Sequence, residues 1–476
     1  MSDFTSSQPE LSSVELLVQR ARQAMSEFEE SDQRRVDEAV TAIAWALYQD
    51  DNAEKLAQLA VKNTQLGNVK DKITKNKRKT FGTLRDLMRV RTVGVIETDE
   101  EKGLVKYAKP VGVVGAVTPS TNPAATPVNK CMMAVKGRNS VIVAPSPAGW
   151  ETTNEAVNLM RDGLETVGAP RDLVQILHAP VSRAATEELM RSVDLVVVTG
   201  SQNNVRGAYR SGTPAIGVGM GNVPVIVDET ADLDKAAQRI MMSKTFDNGT
   251  SCSSENSVVV VDEIYDEMIQ AFAGNGGYLA TDLERQRIIR NLWSNSGKLS
   301  RDLIAKDIDV LLERCGIQRA PDNTRFVLVE ETGIGSEYPL SGEKLSLVLT
   351  VYRARDYHDA VKKVSEILAY QGAGHSCGIH TSRMERAQSM AENLNVVRVL
   401  VNQAHTFGNG GGFTSGLNFT LSMGCGTWGG NSITENLNYR HFLNITHLSV
   451  EIAEDKPSED SLFGDYLKKY HSSTIN

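Results

Sequence analysis

Short apolar segments separated by helical stretches constrain the fold of this chain most strongly. From residue 105 onwards these segments are almost continuously apolar instead of alternating with polar residues. The clearest of them are 111–117, 140–144, 173–178, 194–199 and 223–227. Strands that are apolar on both faces are typical of a parallel sheet covered by helices on both sides. An α/β fold with a parallel sheet is therefore predicted, preceded by helices over residues 14–95.

A second α/β unit is expected to begin near Thr245. Further apolar segments alternate with helical stretches at 257–261, 326–330, 346–352 and 396–401. Because 476 residues exceed what one hydrophobic core usually organises, two domains are expected, over 1–245 and 246–436. Residues 402–432 are rich in Gly, Ser, Thr and Asn, a composition that brings the backbone close to a ligand or to another chain.

Composition and charge exclude several classes of function. Lys and Arg number 51 and Asp and Glu 59, which gives a net charge of −8 and argues against nucleic acid or an anionic membrane as partner. No segment approaches the run of about 20 apolar residues that spans a bilayer. Residues 1–7 lack the basic and apolar regions of a secretory signal. A cytoplasmic protein is therefore expected.

Cys252 is the first candidate for chemistry. It lies in the turn Phe246-Asp-Asn-Gly-Thr-Ser-Cys252, between a helical stretch and a strand. Backbone N–H groups in such a turn can lower the pKa of a thiol and hold an oxyanion. The alternative is a small buried hydrophobic residue, which is how Cys131 is interpreted inside an apolar helix. The spacing of His375, Cys377 and His380 does not suit a metal site, and no metal is expected.

Two other patterns suggest different functions. Gly374-His-Ser376-Cys-Gly378 matches the nucleophile elbow of α/β-hydrolases, but a helix precedes it and a strand-like segment follows, the reverse of an elbow. The segments after two predicted strands, 118–123 and 199–201, would lie at the carboxyl edge of the sheet, where nucleotides bind. The basic run 70–79 could attract a phosphorylated ligand, although a solvated helix face is the preferred interpretation.

Six segments, in this order, resemble the motifs of CoA-acylating aldehyde dehydrogenases. They are Thr118–Pro123, Thr199–Ser201, Gly217–Pro224, Phe246–Cys252, Gly372–Ser376 and Leu421–Asn436. The resemblance spans about residues 14–450. It implies a Rossmann-like cofactor domain, an α/β catalytic domain and a small β-hairpin for assembly into a homodimer or homotetramer. The segments for assembly would be about 98–110 and 437–452.

The resemblance also implies roles for individual residues. The Cys252 thiolate would attack an aldehyde, the Asn122 amide and the Cys252 N–H would hold the oxyanion, and His375 would deprotonate coenzyme A or be purely structural. The cofactor would contact Thr118, Pro119, Ser120, Ser146, Thr199, Gly200, Ser201, Gly219 and Gly221. A short anionic aldehyde, sulfoacetaldehyde first and succinate semialdehyde second, would contact Thr121, Thr126, Asn129, His405 and Thr406.

Two departures from hydrolytic aldehyde dehydrogenases refine these expectations. The hydrolytic enzymes share a glutamate that activates water, and in this chain Val218 occupies the corresponding position. Coenzyme A is therefore expected to release the product. Ala144-Pro-Ser146-Pro147 replaces the lysine and glutamate that follow the corresponding strand in those relatives. Without a carboxylate to repel a 2′-phosphate, and with Ser146 able to donate to it, NADP is favoured over NAD.

Overall fold

The computed structural model describes residues 12–294 and 297–471, and its N-terminal part consists of four helices. The capping box predicted from Ser12 and Glu15 is present and begins the first helix, which buries Leu17 and Phe28 on its apolar face. The four helices are α1 Ser13–Phe28, α2 Gln33–Tyr48, α3 Asp50–Thr64 and α4 Val69–Met88. The first seven residues, for which the absence of a secretory signal was noted, lie outside the described residues.

The rest of the described chain alternates between strands and helices. The strands are β1 Gly94–Asp99, β2 Leu104–Pro110, β3 Val113–Thr118, β4 Ser140–Pro145, β5 Val174–Ile176, β6 Leu195–Val198, β7 Ala215–Gly217, β8 Val223–Val227, β9 Glu255–Val261, β10 Gly277–Leu279, β11 Phe326–Glu330, β12 Val348–Ala354, β13 Cys377–His380, β14 Val399–Val401 and β15 Leu443–Ser449. The helices are α5 Ala125–Lys136, α6 Trp150–Thr166, α7 Arg183–Ser192, α8 Gln202–Arg210, α9 Leu233–Thr245, α10 Tyr265–Gly274, α11 Asp282–Leu292, α12 Ile308–Cys315, α13 Tyr357–Tyr370, α14 Met384–Asn393, α15 His405–Gly408 and α16 Glu459–Tyr470.

The first sheet is parallel and has five strands in the order β5-β4-β3-β6-β7. Alternate residues of β3 face opposite layers: Val114 packs toward α2, α5 and α6, and Val113 toward α1, α7 and α8. Burial on both faces explains why the strands are continuously apolar. The strand order reverses between β3 and β6, and ligands of such sheets bind at that point.

The second sheet is also parallel and has seven strands in the order β10-β11-β12-β9-β8-β13-β14. Helices cover both faces, because Val258 packs with α9 and α10 while Val259 packs with α13 and α14. The α/β architecture predicted from the sequence is confirmed. The start of the second unit, expected near Thr245, is wrong with respect to β8: this strand precedes Thr245 but pairs with β9 and β13 in the second sheet. An apolar strand does not reveal which of two sheets it joins.

A small antiparallel sheet joins β1, β2 and β15. The segments 98–110 and 437–452 contain two of these strands, β2 and β15, which pair with each other from Leu104 to Pro110. Ile445 and Leu448 on β15 are exposed. In the part of the chain that the structure describes, no helix is long and apolar enough to cross a membrane.

Candidate active site

Cys252 lies at the end of a turn with unusual backbone geometry. Asp247, Asn248 and Gly249 have φ angles of 51°, 54° and 70°, in the left-handed region. Asp, Asn and Gly tolerate this region better than other residues, so the sequence of the turn explains its shape. The turn connects α9 to β9, and the Cys252 side chain remains partly exposed while the other four cysteines are buried.

Three glycine-rich motifs that are distant in the sequence meet around Cys252. A Cβ atom at Gly221 would lie 2.1 Å from the carbonyl oxygen of Cys252, and one at Gly219 would lie 2.9 Å from the sulfur of Cys425. A Cβ at Gly374 would lie 1.9 Å from the carbonyl oxygen of Cys425. Only glycine permits such close approaches. Gly219 and Gly221 therefore shape the surroundings of Cys252, and their contact with a cofactor stays a prediction.

Asn122 is held in one orientation by a lysine. Lys75 Nζ donates to Asn122 Oδ1 at 2.9 Å and to Asp247 Oδ2 at 2.5 Å. Since an ammonium group is a donor only, the oxygen of Asn122 must face Lys75. Among the described residues, the Asn122 amide nitrogen has a single, long contact, 3.5 Å to Thr121 Oγ1. The side chain is therefore oriented as an oxyanion donor requires.

The basic run on α4 is not the solvated face that was preferred from the sequence. Lys72, Lys75 and Lys79 are buried, and Asp247 Oδ2 accepts from both Lys72, at 3.0 Å, and Lys75. The prediction is wrong because the counter-charge and the carbonyl acceptors come from residues far away in the chain, which charge patterning within one helix does not reveal. Lys70, by contrast, is exposed.

The Cys252 thiol is not activated in the way expected from its turn. Burial raises its pKa to about 12, with a further increase from the Glu343 carboxyl, while Ser253 and Arg398 act in the opposite direction. Burial also raises the pKa of Glu343, to about 8. In this turn the cost of desolvating the thiolate raises the thiol pKa by more than the nearby backbone dipoles lower it. In the free protein Cys252 is therefore largely a neutral thiol.

The rate of Cys252 alkylation by iodoacetamide is expected to depend steeply on pH. With a pKa near 12, the reactive thiolate fraction should rise about tenfold per pH unit between about pH 7 and pH 10. Glu343→Gln should react faster than the wild type only above about pH 8, where the Glu343 carboxylate forms. Mass spectrometry of the labelled peptide measures both rates. A plateau below pH 8 in the wild type would contradict a thiol pKa raised by desolvation.

A chain of hydrogen bonds links two buried histidines through Ser376. His375 Nδ1 lies 2.8 Å and His405 Nε2 lies 2.9 Å from Ser376 Oγ. Burial lowers the pKa of His375 well below its usual value, and the Arg398 guanidinium, which donates to the His375 carbonyl at 2.8 Å, lowers it further. His375 is therefore neutral at physiological pH, and its Nε2 has no protein partner in the described residues.

The hydrolase alternative does not fit this geometry. Ser376 is completely buried and immediately precedes β13. A nucleophile elbow instead exposes its serine between a preceding strand and a following helix. The two histidines hydrogen-bond Ser376 within the core, so the three side chains stabilise the packed interior. An ester substrate could not reach the buried hydroxyl.

The expected cofactor residues lie at one edge of the first sheet. Thr118 ends β3, Ser146 follows β4, and 199–201 follow β6, with Ser201 capping α8. The Ser146 N–H donates to the Thr118 carbonyl at 3.1 Å. The hydroxyl oxygens of Thr118 and Ser146 are buried without partners in the described residues. Unpaired hydroxyls beside the point where the strand order reverses fit a nucleotide cofactor.

The residues predicted to contact the aldehyde are not all brought together. Thr406 and Asn122 line one cavity beside Cys252, together with Ser251 and Ser253. His405 is not part of that lining, because its ring bonds Ser376. Three more of the expected residues have other surroundings: the carbonyl of Thr121 accepts from Lys72, Asn129 donates to Thr83, and Thr126 is buried with an unpaired hydroxyl.

Several residues of this site were missed from the sequence. Lys75 and Asp247 orient Asn122, Glu343 interacts with the Cys252 thiol, and Arg398 holds the His375 segment. Asp247 lies within a motif already singled out, so it was accessible from the sequence. Lys75 lies in the basic run 70–79, which was interpreted as a solvated face, whereas Glu343 and Arg398 are single charged residues that no local pattern distinguishes. Among the described residues, no group of three or more His, Cys, Asp or Glu could hold a metal ion.

Comparison with known proteins agrees with this fold. Residues 4–276 match the model of the aldehyde dehydrogenase family. The chain belongs to the aldehyde dehydrogenase family. An acylating sulfoacetaldehyde dehydrogenase from Cupriavidus necator is 53% identical, over 96% of this chain and 92% of that protein. An acetylating succinate-semialdehyde dehydrogenase from Clostridium kluyveri is 39% identical, over 95% of this chain and 99% of that protein. The crystal structure of an acetylating aldehyde dehydrogenase from Geobacillus thermoglucosidasius superimposes with a TM-score of 0.89 at 35% sequence identity. The superposition covers 94% of this chain and 98% of that chain.

Proposed function

We propose that this protein is an acylating aldehyde dehydrogenase. It would oxidise a short anionic aldehyde with NAD(P)+ and coenzyme A, through a thioester on Cys252. The observation that carries the proposal is the Asn122 amide, whose orientation Lys75 fixes, in a cavity that is also lined by Ser251 and Ser253, the two residues that flank Cys252. The acylating relatives, at 53% and 39% identity over nearly the whole chain, support the same reaction class.

The chain's own residues account for carbon–sulfur bond formation. Cys252 Sγ attacks the aldehyde carbon, the carbonyl electron pair moves to oxygen, and the resulting anion accepts hydrogen bonds from the Asn122 amide and the Cys252 N–H. Because the thiol is neutral in the free protein, its proton must pass to a base as the S–C bond forms, and the proposed acceptor is the Glu343 carboxylate, which interacts with the thiol and whose pKa burial raises to about 8. A bound nicotinamide would supply the hydride acceptor, and loss of the hydride from the carbon attached to Cys252 Sγ would re-form the carbon–oxygen double bond and leave a thioester on Cys252.

Coenzyme A is proposed to release the product. Its thiolate would attack the thioester carbon, Cys252 Sγ would leave as thiolate, and an acyl-CoA would form. His375 is the proposed acceptor of the coenzyme A proton, and the support is its buried Nε2, which has no protein partner in the described residues. Val218, where hydrolytic relatives carry a glutamate, is buried and apolar, so water lacks a base at that position.

NADP is the proposed cofactor in preference to NAD. The support is the unpaired, buried hydroxyl of Ser146, which follows β4 directly, and the absence of a carboxylate in 144–147. A carboxylate at that position favours the 2′-hydroxyl of NAD and repels a 2′-phosphate.

The small sheet is the proposed assembly surface of a homodimer or homotetramer. Its strand β15 presents Ile445 and Leu448, 38% and 44% exposed, and Val450 beyond it is 58% exposed. Apolar residues this exposed on an edge strand favour coverage by another chain.

Sulfoacetaldehyde is the proposed substrate, and succinate semialdehyde is the second candidate. In assays of cofactor reduction with coenzyme A present, both should give a higher kcat/KM than acetaldehyde and butyraldehyde. The same panel run with NAD+ and NADP+ tests the cofactor. A higher kcat/KM for the neutral aldehydes would contradict an anionic substrate while leaving the acylating reaction intact.

A further inference from the structure

The inner face of α4 brings positive charge to the cavity beside Cys252. Lys75, Arg78 and Lys79 all line it, opposite Thr406 and the two residues that flank Cys252. Lys79 is near enough to Cys252 that a thiolate there would raise the lysine pKa. Three basic residues therefore line the cavity beside Cys252, in a chain whose net charge is −8.

The cations of this face differ in whether their charge is balanced. Lys72 and Lys75 share the Asp247 carboxylate. Arg78 Nη2 donates only to the carbonyls of Phe407 and Gly411, at 2.6 and 3.2 Å. Within the described ranges, no carboxylate lies at ion-pair distance from Arg78 or from its neighbour Lys79. Arg78 is half-buried and Lys79 is buried, and because burying a cation without a counter-ion is costly, an anion bound in this cavity would offset that cost.

Both unbalanced cations retain donors. Lys79 Nζ gives two hydrogen bonds, to the carbonyls of Gly410 at 2.6 Å and Thr420 at 3.1 Å, which leaves one of its three N–H groups. Arg78 uses Nη2 for its carbonyl contacts, and within the described residues its Nε and Nη1 bond no protein acceptor. These remaining donors suit the oxygens of a sulfonate or carboxylate.

We propose that Arg78 and Lys79 bind the anionic end of the aldehyde and so determine the substrate class of the enzyme. This inference rests on the proposed function. The carbonyl contacts fix the two side chains before the substrate arrives, which reduces the ordering cost of binding. Burial lowers the pKa of Arg78 to about 10 and that of Lys79 well below its usual value, and a bound anion would reverse both shifts.

The test compares an anionic with a neutral aldehyde of similar size. In Arg78→Gln, kcat/KM for sulfoacetaldehyde should fall about 100-fold or more, as on removing one partner of a buried charge pair. The kcat/KM for propionaldehyde should change less than about threefold, because no charge on that substrate is left unpaired. Arg78→Lys should recover part of the loss. Lys70→Gln, on the exposed part of the same helix, is the matched control and should behave as wild type.

A binding measurement covers the case in which a variant is poorly folded. Ethanesulfonate, which has no aldehyde group, should slow alkylation of Cys252 in the wild type and in Lys70→Gln but not in Arg78→Gln or Lys79→Gln. Lack of protection in the wild type would overturn the proposal. Equal losses for both aldehydes, or a raised KM for coenzyme A or NADP+ without aldehyde selectivity, would overturn it too. If the wild type showed no coenzyme A-dependent oxidation of any aldehyde, the proposed function itself would fail.

Discussion

Cys252→Ala is expected to lose aldehyde oxidation almost completely, with kcat reduced by at least about a thousandfold. Removing a nucleophile removes the covalent intermediate, and the remaining groups of the site cannot replace it. The rate of cofactor reduction with sulfoacetaldehyde and coenzyme A measures the loss. Because Cys252 is partly exposed, the variant should remain folded.

Cys315→Ala is the matched control for this variant. Cys315 is buried at the end of α12 and packs with Ile288 and Leu292, away from the turn that carries Cys252. Its replacement should lower the free energy of unfolding by about 1 kcal/mol and leave kcat near that of the wild type. Near-normal turnover in Cys252→Ala would show that the thioester mechanism is wrong.

Asp247→Asn is expected to have the largest effect on stability. The carboxylate accepts from Lys72, Lys75 and Thr250, all buried around it. Breaking a buried ion pair typically costs about 3–5 kcal/mol, and the lower part of that range is expected here. The reason is that Lys72, whose pKa is lowered by burial to about 8, can release its proton once its partner is gone. Asparagine tolerates the left-handed φ of 51°, so the variant tests charge and not backbone shape.

The same variant should also slow catalysis and change the acid sensitivity of the protein. Without Asp247, Lys75 loses the partner that positions it on Asn122, and kcat should fall by about tenfold or more. Burial alone would raise the pKa of Asp247, but the two lysines outweigh it and the net pKa is lowered. Stability from this group is therefore present above the unfolded pKa, near 4, and lost as pH falls through the folded value. Urea unfolding of the wild type and the variant at pH 7 and pH 4 measures the acid sensitivity, and the rate of cofactor reduction measures kcat.

Asp50→Asn provides the comparison for Asp247→Asn. Asp50 pairs with Lys77 on the outer side of α4, and its side chain is 88% exposed. An exposed ion pair contributes about 0–1 kcal/mol, so this variant should lie close to wild type in both unfolding and activity. Equal effects of the two substitutions would contradict the role assigned to the buried carboxylate.

Local patterns were sufficient to predict strands of both parallel sheets and the turn that carries Cys252. Segments 223–227 and 326–330 coincide with β8 and β11, because a strand buried on both faces needs a continuous apolar run. The turn before Cys252 was recognisable because Asp, Asn and Gly occur together where left-handed backbone is needed. Both features depend on residues adjacent in the chain.

Features that depend on distant residues were not predictable in the same way. The lysines of α4 were expected to face solvent, and only the approach of Asp247 and of 407–420 makes them part of the cavity. The raised pKa of Cys252 comes from burial and from Glu343, 91 positions further along the chain, neither of which is visible in the turn itself. The position of β8 in the second sheet was not predictable for the same reason, because it depends on pairing with β9 and not on the residues of β8 itself.

The stoichiometry of product to reduced cofactor tests the thioester mechanism most directly. With sulfoacetaldehyde and coenzyme A, acyl-CoA should accumulate in a one-to-one ratio with the reduced cofactor. Without coenzyme A, at most one equivalent of reduced cofactor per Cys252 should form, and mass spectrometry should find the acyl group on that residue. Continued formation of the free acid without coenzyme A would contradict the mechanism, because it would show that water releases the product.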